Sequence, residues 1–519
     1  MATSDAPDPS SKRTRKKLEK QEAKKRLKQE HHAAVHVSML QSARTLRDHL
    51  QQGSTAVPDH RLYTQLPRAG EDELFCGACD QCSAIFARTP NSWSGDEQAG
   101  AQARASRLVD QFLWRPHLYN VKYASQELSL LYQLFRLGGQ KSDLVVDIGG
   151  GNANLSCLIA LVLDVPVVCV EMESPRPELR GEAWLPEALR ERQAVTRVES
   201  LIQDYSLPPG YEHVLVLGKH LCGPGTDAGI DFVARHLDRI MGCCFATCCC
   251  CKLVGGAGAL GAGLQLFAEL YFVDELADDG QTAAECQPVD DDDDGGSNSA
   301  DGQAAADAGG SSESAADGVN SAAITDDQSG DGGHAGGVGK KRGLPQWTGL
   351  TGSSARRLAA AASKKAAGES EGAFLRRVLP EICRATSWRN QAYNAPQNDK
   401  YSTASYPEML QQAEFFESWI QGFRRRRLAS LFGDEEELLF CNESAHSQQN
   451  RCLVSGRWLR RPPADAADGP GAGSAHGLTS RDFFALLEAQ LLKYAEVLPV
   501  DLRVRGVVSA KYEHDGTAL

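Results

Sequence analysis

The chain has 519 residues, a formal net charge of −13 and 16 cysteines. No apolar stretch approaches the 18 or more residues of a membrane span and no apolar h-region opens the sequence, which argues for an intracellular protein, in nucleus or cytoplasm, with reduced thiols. The negative charge does not exclude a polyanionic partner, because acids concentrate in one internal stretch while basic residues cluster at Lys12 to Lys28 and at Arg424 to Arg427.

In chain order, residues 1–55 read as a basic helix or tail. Each basic cluster is either a solvated helix face or an RNA contact, and the first also fits a nuclear-import signal. Segment 56–100 contains "FCGACDQC", which sets Cys76, Cys79 and Cys82 at x2 spacing. They suit a zinc knuckle whose fourth ligand, such as His60 or His117, comes from elsewhere; a cysteine-rich loop without an ion is the other reading. From 101 to 255 the chain reads as the first part of an α/β core. Helical spacing over Leu108 to Leu137 leads into Val-rich runs alternating with helices. The expected strands are Leu144 to Ile148, Pro166 to Glu171, "AVTRVESLIQD", His213 to Gly218 and Ile240 to Thr247. Such alternation implies a parallel sheet covered on both faces.

From 256 to 370 Gly, Ala, Ser and Asp dominate, including the run Asp290 to Asp294. That composition buries too little apolar surface to offset ordering entropy, so it reads as a disordered acidic insertion. Deleting 270–365 is expected to spare fold and activity. Residues 371–519 read as the closing part of the core, with helices at "AFLRRVLPEICRATSW" and "YPEMLQQAEFFESWIQGF". Strands are expected at "ELLFCN", "RCLVSGRW" and "DLRVRGVVSA", interrupted by a Gly/Pro linker near 460–477.

The chemistry collects at strand ends. The first strand runs into "DIGGGNANLS", where Asp147 precedes Gly149 and Gly151; Asn154 stands where a dinucleotide fingerprint needs a third glycine. Glu171 ends the next strand and suits ribose hydroxyls, and Asp204, closing the third, suits an adenine amino group. Together these favour a nucleoside without a pyrophosphate, S-adenosylmethionine being such a ligand. Gly218 is expected to end the fourth strand, placing Lys219, His220 and Cys222 at the rim of the cleft. Lys219, made less basic by burial and neighbouring charge, and His220 are alternative bases for activating a hydroxyl; His220 could instead bond the backbone, and Cys222 fill space. Asp227 either caps the following helix with Thr226 or orients Lys219. Cys243 and Cys244 read as buried strand residues. Cys248 to Cys251, past that strand, fit substrate contact, partial metal ligation or a tight turn.

The segments "VDIGGGNANLS", "LVLGKHLCGPGTD", "ATCCCCKL" and "ATSW" resemble the successive motifs of the tRNA:m4X modification enzymes. That resemblance covers about Leu144 to Leu253 and Phe374 to Val454. It implies a Rossmann-like methyltransferase fold and transfer of a methyl group from S-adenosylmethionine to a ribose 2′-hydroxyl at position 4 of the tRNA acceptor stem. By the same resemblance Asp147, Gly149, Gly151, Glu171, Asp204 and Gly218 hold the cofactor, while Lys219, His220 and Asp227 form the reacting side. The chain departs from the family at Cys248 to Leu253, where Cys-Cys-His-His-Arg-Cys is usual, and in lacking its N-terminal zinc fingers. Other readings are a methyltransferase for another RNA, a base or a protein, and a fold that binds RNA or protein without turnover.

Overall fold

The computed structural model describes residues 12–52, 117–247, 250–254, 262–272, 352–363, 369–389, 406–439, 451–457 and 480–495. Cys76, Cys79, Cys82, Cys248, Cys249 and the strand expected at 501–510 lie outside the described residues.

Seven strands form one sheet in the order β3-β2-β1-β4-β5-β7-β6. They are β1 (Leu144–Ile148), β2 (Val167–Glu171), β3 (Val195–Glu199), β4 (Val214–Leu221), β5 (Ile240–Thr247), β6 (Glu435–Leu439) and β7 (Arg451–Gly456). β1 to β5 are mutually parallel, and β7 runs antiparallel between β5 and β6. The protein is thus α/β with a mostly parallel sheet. β1 and β5 are buried along their whole length, as continuous apolar runs require when both faces are covered.

The ten helices are α1 (Lys12–Gln52), α2 (His117–Arg136), α3 (Asn154–Leu163), α4 (Glu187–Glu191), α5 (Gly225–Arg235), α6 (Ala262–Tyr271), α7 (Gly352–Ala361), α8 (Glu371–Thr386), α9 (Tyr406–Phe432) and α10 (Ser480–Ala495) among the described residues. One sheet face is closed by α2, α3 and α10, where Phe135 and Phe483 meet with ring centroids 5.6 Å apart. The other carries α5 and the end of α9, through Phe232, Leu428 and Phe432. A third apolar cluster joins the second half of α1 to α6, α7, α8 and α9 in a helical layer that the sequence pattern does not announce.

Three expectations change here. The basic run Arg424 to Arg427 is not a solvated helix face throughout: Arg424 is 1% exposed and ion-paired with Asp227, Arg425 pairs with Glu435, and Arg426 alone of the four is exposed. Residues 1–55 are more than a tail, since Val35, Met39, Ala43, Leu46 and Leu50 are core. The packed fold also enters the expected insertion from both ends, with Phe267, Phe272 and Leu358 at or below 2% exposure. The middle of the expected insertion, 284–349, lies outside the described residues. Replacing 284–349 by a short Gly/Ser linker is expected to leave cooperative melting at the parent temperature. Deleting 270–365 removes Tyr271, Phe272 and Leu358; with each large apolar loss costing about 3–5 kcal/mol against a total stability of about 5–15, it is expected to abolish the transition. Equal melting of the two variants would contradict this assignment.

Candidate functional site

Strand order reverses between β1 and β4, the first leading outward to β2 and β3, the second to β5. In open parallel sheets that reversal leaves a crevice beyond the carboxyl ends of the two strands. The glycine turn after β1 and the Lys219 segment of β4 both lie there.

Asp147 is paired in register with Leu217. Side chains alternate along a strand, so Lys219, two residues beyond Leu217, stands on the same sheet face as Asp147, beneath α2 and α3. The carboxylate of Asp147 is 1% exposed. Its Oδ2 accepts a hydrogen bond from Ser156 Oγ at 2.6 Å on α3, and its Oδ1 is buried without a hydrogen-bond partner. Burial pushes its pKa up to about 7, against the Ser156 bond and the charge of Lys219, while Glu127 and Glu171 push the same way as burial.

The turn itself is tightly specified. Gly149 (φ +66°) and Gly151 (φ +51°) sit in the left-handed region that side chains avoid. Gly150 has no such φ but no room either, since a Cβ there would lie 2.6 Å from Cys169 Sγ and 2.9 Å from Asp147 Oδ2. A Cβ on Gly151 would meet nothing within 4 Å, so the turn presents bare backbone to open space. Glu171, at the end of β2, reaches across it: Oε2 accepts from Gly151 N at 2.8 Å and Oε1 from Met172 N at 3.0 Å. Arg197 on β3 donates to Gly151 O at 2.7 Å and forms a two-pronged pair with Glu182.

β4 does not end at Gly218. It continues to Leu221, and Gly218 pairs with Ile148 in mid-strand. A Cβ on Gly218 would stand 2.3 Å from Leu221 Cδ1, so this glycine makes room for Leu221. The register against β5 slips between Lys219 and Leu221, bulging the strand at His220, a device that re-aims side chains beside active sites. The His220 side chain lies outside those described. Lys219 is 13% exposed; its Nζ donates to Glu127 Oε1 at 2.8 Å and sits 4.9 Å from the Tyr123 ring centre, both on α2. The charge beside Lys219 is therefore a carboxylate, its ion-pair partner.

Two further expectations are corrected. Asp204 does not end a strand: β3 stops at Glu199, and Asp204 lies exposed in the following turn, its N–H bonded to Leu201 O. Asp227 neither caps α5 nor orients Lys219. It is fully buried, with Oδ1 and Oδ2 taken by Arg424 Nε at 2.8 Å and Nη2 at 2.6 Å, and with Tyr271 Oη donating to Oδ1 at 3.0 Å. Arg424 Nη1 also lies 3.7 Å from the Sγ of Cys250. Cys250 is buried, which pushes its thiol up to about 12, and Cys251 is half-buried. The structure thus brings Asp147, Gly149, Gly151, Glu171 and Lys219 to one crevice, and gives Gly218 and Asp227 packing and ion-pair roles beside it. Among the described residues no group of three or more His, Cys, Asp or Glu could hold a metal ion, and no helix is long and apolar enough to cross a membrane.

Sequence reasoning missed Ser156, Arg197, Glu127, Tyr123 and Arg424. Glu127 carries a readable signal, as the one charged residue in "SQELSLLYQLF"; the others are recognisable only through partners remote in sequence.

Residues 125–253, about a quarter of the chain, match a family model described as Methyltransferase TRM13. The match contains β1 to β5 and three of the four motifs on which the family resemblance rests, "ATSW" lying beyond it, and bears that resemblance out. No curated protein and no solved structure matches the chain.

Proposed function

Starting from a segment, 125–253, that matches the TRM13 methyltransferases, we propose that the protein transfers a methyl group from S-adenosylmethionine to a ribose 2′-hydroxyl of tRNA, in the acceptor stem at position 4. The observation that carries the proposal is the crevice between β1 and β4, which sets a nucleoside-type cradle against a half-buried lysine on one sheet face.

The residues present fit the cofactor. Gly151 leaves open space in front of its backbone, Asp147 Oδ1 is a buried acceptor without a partner, and Glu171 ends β2 with its carboxylate over the turn. The sheet order, with one antiparallel strand inserted next to β5, supports a Rossmann-like methyltransferase architecture. Asp147, Gly149, Gly151 and Glu171 would hold the cofactor, whose sulfonium supplies an electrophilic methyl group when bound. Glu171 is placed to accept from ribose hydroxyls, releasing Gly151 N as it does so. On the other side of the crevice the accepting hydroxyl must lose its proton as its oxygen is methylated. Lys219 can take that proton once its ammonium has passed one to Glu127 across their 2.8 Å contact; with the ammonium intact, Lys219 orients the hydroxyl and His220 is the base. Tyr123 closes the space beside Lys219 Nζ and helps to exclude water from it.

The test is incubation of the full chain with methyl-labelled S-adenosylmethionine and total tRNA, followed by mass-spectrometric mapping, alongside calorimetry with S-adenosylhomocysteine. Label in a 2′-O-methyl nucleoside of the acceptor stem is expected. Label in a base or in protein overturns the ribose assignment, and no heat with the cofactor product overturns the enzyme reading in favour of a binding module.

The glycine turn gives a sharper check. Gly151→Ala introduces left-handed strain of about 1–2 kcal/mol and a methyl group in the open space, so S-adenosylhomocysteine binding is expected to weaken about tenfold or more while the fold survives. Gly150→Ala collides with Asp147 and Cys169 and is expected to lower the melting temperature further. The reverse ranking in melting would count against this geometry.

A further inference from the structure

α1 is a single helix of 41 residues, about 60 Å long, whose two halves have different surroundings. The second half is fixed in the helical layer by Val35, Met39, Leu40, Ala43, Leu46 and Leu50, and by an ion pair between Arg44 and Glu408. In the first half every described side chain from Arg15 to Leu27 is exposed, including Leu18 at 49% and Leu27 at 68%. A polar helix of this length is marginal alone; the anchored half supplies the nucleus from which it continues.

Charge on this free half is sorted by face. Between Lys12 and Glu30 the sequence has ten Lys and Arg against three Glu. Arg15 lies 3.4 Å from Glu19, and Arg26 2.9 Å from Glu30, so two of the acids sit on one side with arginine partners. At 100° per residue Lys17, Lys20 and Lys24 fall within about 60° of one another on the opposite side, and the sequence repeats that spacing at Arg13 and Lys28. The result is an acid-free cationic stripe, about 10 Å long from Lys17 to Lys24 and exposed throughout, in a protein whose net charge is −13.

We propose that this stripe is an RNA-binding arm that contacts the phosphate backbone of the tRNA substrate, outside the crevice. This proposal takes its substrate class from the tRNA reading above. Flexible lysines spaced along one helix face and lacking acids suit a row of phosphates, to which they give affinity without sequence preference. Lysines on an exposed stripe are also dispensable for folding.

The experiment compares the full chain with a Lys17→Gln/Lys20→Gln/Lys24→Gln variant, measuring equilibrium binding of unmodified tRNA by anisotropy from 50 to 200 mM salt, without methyl donor. The expected result is a tRNA affinity about tenfold or more weaker at 100 mM salt, with the slope of log affinity against log salt shallower by about 2 to 3, close to one unit for each phosphate that is no longer neutralised. Melting temperature and S-adenosylhomocysteine affinity are expected to stay at the parent values, and Arg15→Gln/Arg26→Gln to change the slope by less than the stripe variant. An unchanged slope in the stripe variant overturns the arm, as does binding of polyglutamate as tight as that of tRNA. A parent chain that methylates tRNA while the stripe variant binds normally refutes the arm alone; a parent that binds no tRNA refutes the substrate reading itself.

Discussion

Lys219→Met combined with Glu127→Gln is expected to lower methyl transfer to tRNA by about 100-fold or more while S-adenosylhomocysteine binds within about threefold of the parent, since proton transfer or hydroxyl positioning by one group contributes roughly 10²- to 10⁴-fold. Both members of the pair are changed for a reason. Lys219→Ala alone takes the ammonium from the Glu127 carboxylate, 4% exposed, and removing one partner of a buried ion pair costs about 3–5 kcal/mol. The single variant therefore mixes lost chemistry with lost stability. Glu127→Gln alone keeps a hydrogen-bond acceptor for Lys219 and isolates the proton relay: activity near the parent's leaves His220 as the base, and a loss matching that of the double variant places the relay through Glu127. If the double variant loses cofactor product as completely as it loses turnover, Lys219 holds the cradle and the reaction-side assignment is wrong.

The second large effect is expected at a residue that touches neither cofactor nor acceptor. Arg424→Met leaves Asp227 fully buried with only the Tyr271 hydroxyl, and is expected to cost about 3–5 kcal/mol in urea unfolding. Asp227→Asn strands the guanidinium, whose basicity that carboxylate raises despite burial, and is expected to cost a similar amount. Asp227→Asn/Arg424→Met removes both charges and is expected to recover most of the loss, so the two single costs do not add. Fully additive midpoints would mean the two groups do not stabilise one another. Because Asp227 opens α5 just after the Lys219 segment, and Arg424 also touches Cys250, this pair ties both loops beside the crevice to α9.

What was legible depended on how locally each feature is encoded. β1 and β5 begin and end where the apolar runs do, because a strand buried on both faces has no other way to satisfy its surroundings. β4 outran its apolar run since Lys219 and His220 are carried by strand pairing with a bulge, which periodicity does not register. β3 fell short because "LIQD" looks strand-like and is a turn. "RRRR" looked like a surface feature, and only Asp227, 197 residues away, makes Arg424 a core residue. The anchored half of α1 was readable in principle from Val35, Met39, Ala43, Leu46 and Leu50 at helical spacing, but lysines upstream dominate the composition of that region. Asp147, Gly151 and Glu171 could be found from strand-end chemistry; Glu127 stands out as a charge among its neighbours, but its pairing with Lys219 across 92 residues could not be read.

The insertion of β7 between β5 and β6 has a consequence during synthesis. β5 is complete at Thr247, yet the strand that covers its outer edge begins at Arg451. At roughly 5–20 residues per second a ribosome needs on the order of 10–40 s to span that interval, during which eight core residues of β5 present an unpaired edge to solvent. Nascent chains of this protein are thus natural clients for chaperones, and a transcript truncated before Arg451 is expected to yield aggregates where one extending past Ala495 yields soluble product.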